Sequence, residues 1–143
     1  MNYQEDEKRS NEIWKAYGKY LDSQGIEYNN RNGFHVRIPL KHTDKSFIQV
    51  GRVFDGLLNL TDYCGTCYTG IRMAKKVMKA IKERYPEADV YVERFGGTFE
   101  LDVQHKMKYT TVEELHEQVL KIAEIVDWGA KIGYDMLGED FKR

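Results

Sequence analysis

At 143 residues, with 41% hydrophobic, 31% charged and 13% aromatic side chains, the chain holds enough apolar material for one ordinary domain core and too much for a disordered segment. Its formal net charge of −1 excludes a global field toward nucleic acid or acidic membranes, so any such binding must come from local patches. No apolar run approaches the roughly 18 residues of a membrane-spanning helix. The stretch from Met1 to Arg9 is acidic and polar where a secretory signal needs a basic start and an apolar run. Residues 1–143 are therefore read as a single domain, with a cytoplasmic setting expected.

The first predicted element is a helix over residues 10–24, where Ile13, Trp14, Tyr17, Tyr20 and Leu21 recur at three- and four-residue spacing. Ser10 is placed as its N-cap and Gly25 as its left-handed terminator. Gly18 inside it costs up to about 1 kcal/mol unless a neighbour packs close. Asn32-Gly33 predicts a tight turn between strands over 26–30 and 34–40. Phe34, Val36, Ile38 and Leu40 alternate toward a core, His35 and Arg37 away from it, and Pro39 marks an edge or an exit from the sheet. Asp55-Gly56 predicts a second hairpin, joining 47–54 to 57–63. There Phe47, Val53, Phe54 and Leu57 leave apolar groups on both faces, which fits either a sheet covered on both sides or a patch used for association.

Cys64-Gly65-Thr66-Cys67 follows, read as a strand-to-helix junction, and then a basic amphipathic helix over 69–85 ended by Pro86. Ile71, Ala74, Val77, Met78, Ile81 and Tyr85 make its buried stripe, with Arg72, Lys75, Lys76, Lys79 and Lys82 opposite. A third hairpin joins 89–93 to 98–105 through Gly96-Gly97, with Phe99, Leu101 and Val103 inward and Thr98, Glu100, Asp102 and Gln104 outward. The last helix starts at Thr110 or Thr111; Thr111 as N-cap puts Glu114 in a capping box. Leu115, Val119, Ile122, Ala123, Val126, Ala130 and Tyr134 form its stripe, and between Glu113 and Asp135 it carries six acids and two lysines. The tail from Gly138 to Arg143 is expected to fray. The sum is an α+β domain, a mainly antiparallel sheet of hairpins with three helices in the order α-β-β-β-β-α-β-β-α.

A thiol at a helix N-terminus has its anion favoured by the helix dipole and by free amides. Cys64-Gly65-Thr66-Cys67 resembles the active-site tetrapeptide of the thioredoxin family, which implies dithiol redox chemistry, although the proline loop that faces the dithiol in that family has no counterpart here. The same pair supplies half of a zinc site. His35, His42, His105 and His116 stand at no metal-ligand spacing and are each expected at the surface or an edge. Packing of two small residues is the plainer reading of the cysteines, so no cofactor is expected and zinc at Cys64 and Cys67 is the alternative. Glu93, Glu100 and Asp102 can gather on one face for a metal or for acid and base work, although alternating charges on the wet face of a hairpin are ordinary.

The cations Arg72, Lys75, Lys76, Lys79 and Lys82 can track phosphates or an acidic protein surface. Lys75-Lys76-Val77-Met78-Lys79 resembles the lysine-rich core of the double-stranded RNA-binding domain, which implies phosphate contacts from this helix. A solvated face, or pairing with the acidic last helix of the same or another subunit, are the competing readings. From residue 11 to 137 the order of elements is similar to that of the type III secretion chaperone-like group, including the small YbjN-like proteins. That resemblance implies dimerisation through the middle helix and nearby strands, binding of a partner segment, and no catalysis. The expected function is thus a non-enzymatic binding protein of adaptor, chaperone or inhibitor type, a homodimer with a protein partner and no membrane. Its binding residues are placed at Arg72, Lys75, Lys76, Lys79, Lys82, Phe47 and Phe54. Thiol or zinc chemistry at Cys64 and Cys67, and nucleic-acid binding by the basic helix, are the alternatives.

Overall fold

The structure, a computed structural model, describes residues 3–143; Met1 and Asn2, which open the polar leader, lie outside the described residues. In chain order it comprises α1 (Tyr3–Gln24), β1 (Tyr28–Asn29), β2 (Phe34–Pro39), β3 (Lys45–Val50), β4 (Leu58–Cys67), α2 (Ile71–Arg84), β5 (Asp89–Phe95), β6 (Thr98–Met107), α3 (Val112–Leu137), a 3-10 turn (Gly138–Asp140) and β7 (Phe141–Lys142). The sheet order is β1-β2-β3-β4-β6-β5, with β7 on β4, and every pairing is antiparallel. This is the α+β order expected from the sequence with one strand added at the end.

Strand alternation sorts the chain into two layers. Phe34, Val36, Ile48, Val50, Leu58, Leu60, Leu101 and Val103 are buried in one cluster with Ile13, Tyr17 and Leu21 of α1, Val77 and Ile81 of α2, and Leu115, Val119 and Val126 of α3. Residues between them on the strands, such as Phe47, Gln49 and Tyr63, are exposed. The helices therefore share one face of the sheet and the other face is bare. Asp55-Gly56 turns as expected: φ is 54° and 81°, and Phe54 and Leu57 exchange both backbone hydrogen bonds, at 2.9 and 3.1 Å, which is the type I′ pattern. Asn32-Gly33 does not form that tight turn, because Asn29 is already paired with His35 and a wider loop lies between them.

Several expectations are corrected. Ser10 is not an N-cap, since α1 begins a full turn or more earlier, at Tyr3. Ser10 is buried inside the helix, where its hydroxyl donates to the Asp6 carbonyl at 2.7 Å and accepts from the Val53 amide at 2.8 Å, tying α1 to the second hairpin. Gly18 is the contact point for the Tyr28 ring, which occupies the space a Cβ would need. Ile71 and Tyr134, assigned to buried stripes, are exposed at 46% and 60%; Ile71 is the first residue of α2, and beside Tyr134 it is Gly133 that faces the sheet, against Phe141.

The largest correction concerns the tail. β3 stays beside β4 only at Gln49↔Thr61 and Val50↔Leu60, and β7 takes up the edge of β4 at Thr66↔Lys142 and Cys67↔Phe141. Arg143 then closes the gap: its guanidinium donates to the Tyr63 carbonyl at 3.2 Å, the Lys45 carbonyl at 2.6 Å and the Asp62 carboxylate at 2.8 Å. Ser46 donates to the same Asp62 carboxylate. Phe141 is 3% exposed and lies flat between Gly65 and Gly133, where a methyl at either position would overlap its ring. The tail does not fray because Phe141 is a core residue and Arg143 neutralises a carboxylate that burial would otherwise strand. Phe141→Ala is expected to lower stability by about 3–5 kcal/mol in urea titrations. A change within about 0.5 kcal/mol, the size of an ordinary surface substitution, would mean that the tail is not docked.

Candidate functional site

A β-bulge between Tyr63 and Gly65 decides where the cysteines point. In a regular strand, residues three apart face opposite sides; the extra residue shifts the phase, so Cys64 and Cys67 both turn into the core at 0% exposed. The expected strand-to-helix junction is therefore not observed. Both thiols belong to β4, and α2 starts only at Ile71 behind the Gly70 cap. The Cys64 sulfur packs against Gly129, which Ile81 also approaches, and burial, with Asp62 nearby, pushes its thiol well above the usual range. The Cys67 sulfur lies 3.3 Å from the Thr69 hydroxyl and 3.5 Å from the Gly70 carbonyl.

The histidines divide. His116, expected at the surface or an edge, is 9% exposed and shares a 2.8 Å hydrogen bond through Nδ1 with the Tyr17 hydroxyl. Burial lowers its pKa from the ordinary value and raises that of Tyr17. The pair links α1 to α3, and burial favours the neutral ring. Asp127, part of the acidic count of α3, is buried and accepts the Lys41 and His42 amides at 3.0 and 2.9 Å, so it orders the β2–β3 loop. Neither role has a local sequence signature, since both partners are about a hundred residues away.

On the bare face, Glu93 pairs across from Glu100, and Asp102 stands between Tyr91 and Tyr63 in the ladder. The three carboxylates do gather: one oxygen of each lies within 4.8 Å of the others. Among the described residues this is the group of His, Cys, Asp and Glu ligand atoms compact enough to share an ion, and neither cysteine belongs to it. Asp102 is 6% exposed. Burial, then the neighbouring Glu100 and Glu93, push its carboxyl up to about 9.

The basic ridge of α2 lies open. Arg72, Lys75, Lys76, Lys79 and Lys82 are all exposed, and among the described residues none is in an ion pair with α3 or any other element. Where α2 meets α3 the contact is aromatic: Arg84 stacks over Trp128 at 5.2 Å and Tyr85 meets the same ring edge-on. Phe47 is 44% exposed on the bare face, and Phe54 is 82% exposed at the hairpin tip, where Tyr3, Arg52 and Phe54 border a groove of about 600 Å³. Among the described residues no helix is long and apolar enough to cross a membrane.

No family model and no curated protein matches the chain. Among solved structures, YbjN from E. coli, described as a candidate transcription regulator, superposes with a TM-score of 0.64 at 12% identity, over 87% of this chain and 93% of that one. The fold is YbjN-like. An uncharacterized protein from Methanothermobacter thermautotrophicus shares it with a TM-score of 0.56 at 10% identity, over 88% of this chain and 99% of that one. At these identities the likeness concerns the fold alone.

A carboxyl raised in the folded state binds more protons there than in the unfolded chain, where its value is about 4. Its stabilising proton is fully in place below that value and is lost as the pH rises toward about 9. Asp102→Asn should therefore leave stability unchanged near pH 4 and add a margin that grows up to about pH 9, measured by urea titration in chelating buffer. A constant margin across that range would contradict the assignment. Cys64, held as a buried thiol, should react with iodoacetamide at pH 8 only on unfolding, so that its labelling in mass spectrometry follows the urea transition. Fast labelling of the native protein would contradict the packing described.

Proposed function

We propose that the chain is a non-enzymatic protein-binding module of adaptor, chaperone or inhibitor type that works as a homodimer. The observation that carries this reading is the one-sided sheet. The three helices cover one face, and the other presents Phe47, Tyr63 and Phe95 at 44, 37 and 54% exposure. Aromatic residues spaced over an open sheet are the composition expected of an interface core. The basic ridge Arg72, Lys75, Lys76, Lys79 and Lys82 supplies charge for orientation and encounter, and the salt dependence that goes with it. Phe54 adds an apolar anchor at the hairpin tip. Cys64 and Cys67 have a packing role in this reading, in place of redox or zinc chemistry, because both are enclosed by core residues. The whole chain acts as one domain, since β7 returns to the sheet that α1 and the hairpins build.

A second reading, nucleic-acid binding through α2, is favoured by the five exposed cations without acidic partners and by the description of YbjN as a candidate transcription regulator. The two are separable. Sedimentation velocity at micromolar concentration should show a dimer that Phe47→Lys converts to monomer without lowering the melting temperature. A monomer throughout, together with duplex DNA binding that falls steeply with salt and is lost in Lys75→Glu with Lys79→Glu, would replace the first reading by the second.

A further inference from the structure

The carboxylates on the bare face raise a question of counter-charge. Glu93, Glu100 and Asp102 come from two paired strands, so their backbones are held by the ladder and not by a mobile loop. Their oxygens lie within 4.8 Å of one another. With metal–oxygen bonds of about 2.0–2.6 Å, two ligands of one ion stand no more than about 5 Å apart, so the spacing suits three donors to a single ion. Carboxylate oxygens are the donor type that suits hard cations.

A second observation is independent of the clustering. Asp102 is 6% exposed, the most enclosed of the three, and it has no donor from outside the group. Among the described residues no lysine, arginine, hydroxyl or backbone amide donates to its carboxylate. The groups that face its carboxylate are the two other acids, Glu100 and Glu93. Elsewhere this chain pairs its buried carboxylates. Asp62 has Arg143 and Ser46, Asp127 has two amides, and Asp6 accepts from the Asp55 amide at 3.3 Å. Asp102 alone among these four is turned toward other carboxylates, an arrangement that a proton or a bound cation must complete. Arg143 is engaged with Asp62 and over Tyr63, and Arg94 with the Gly96 carbonyl and over Phe99.

We propose that Glu93, Glu100 and Asp102 form a binding site for one hard divalent cation of the magnesium, manganese or calcium class, seated on the bare face of the sheet between β5 and β6. Water completes the shell on the exposed side. The ion replaces the shared proton and offsets most of the charge of the three carboxylates. The site lies on the same face as the exposed rings, with Tyr63 paired to Asp102.

Tyr63 and Tyr91 flank Asp102 in the ladder, close enough to serve as antennae for a bound lanthanide. The test uses the full chain freed of metal with a chelator. Terbium(III) emission excited through tyrosine, and manganese(II) binding followed by electron paramagnetic resonance, should each report one site. Calcium or magnesium should displace the terbium. Asp102→Asn and Glu100→Gln should each weaken manganese binding by about tenfold or more, while Glu117→Gln on α3 leaves it unchanged. Asp102→Asn replaces a buried carboxyl by a neutral group of the same shape and should melt no lower than the wild type in chelator, so that its loss of binding is not a loss of fold. Absence of manganese binding at millimolar concentration, or equal affinity in Asp102→Asn and wild type, would overturn the proposal and leave the cluster as a shared-proton site.

Discussion

Close approach of α3 to β4 sets the rest of the geometry. At Gly129 the helix has no side chain and the Cys64 sulfur fills the space; at Gly133 the Phe141 ring does the same. Larger residues at these two positions would lift the helix off the sheet, because cores at crystal-like packing density have no slack for an added methyl. With α3 seated this low, the remaining members fall into line. α1 crosses to it through Tyr17 and His116, α2 packs beside it through Arg84, Tyr85 and Trp128, and the last residues slide beneath it as β7. The β4 bulge belongs to the same device, since it is what turns Cys64 toward Gly129.

Putting every helix on one face leaves the other to be managed by side chains alone. Small antiparallel sheets tolerate one wet face if it is polar. Here it is polar only in part: Thr61, Gln104 and Asp89 form an ordinary hydrogen-bonded wet surface, whereas Phe47, Tyr63 and Phe95 break it with exposed rings, and Asp102 breaks it with a buried carboxyl group turned toward two other acids. Both departures cost stability in the isolated chain, and both lie away from the core. They are the kind of local inconsistency that functional surfaces carry and that packing alone does not require.

Much of the fold is legible in the residues because the signals are local. Asp55-Gly56 forces two positive φ values, Thr111 accepts the Glu114 amide, and the alternation of Phe34, Val36 and Ile38 has one core-facing solution. What is illegible depends on distant partners. Nothing near Ser10 announces that its hydroxyl will meet Val53, and nothing in Phe141-Lys142-Arg143 announces a strand, because two residues have no period. The cysteine pair misleads for a related reason. Its spacing is that of a reactive dithiol at a strand-to-helix junction, whereas β4 runs through both cysteines and the bulge, set by pairing with β6, turns both into the core. The carboxylate cluster is the converse: alternation puts Glu100 and Asp102 on one face and the hairpin brings Glu93 across to them, but the pairing that sets Tyr63 beside Asp102 joins β4 to β6, which sequence alone does not bring together.

The claim on which the account rests is that the sheet is covered on one side only and that its bare side is an open working surface. Hydroxyl-radical footprinting of the chain at a concentration low enough to keep it monomeric tests this most directly, with mass spectrometry reading the oxidation of individual rings. The account predicts fast oxidation of Phe47, Tyr63 and Phe95 and protection of Phe34, Phe99 and Phe141. Protection of Phe47 and Phe95 to the level of Phe34 in the monomer would show that the face is covered, and would contradict it.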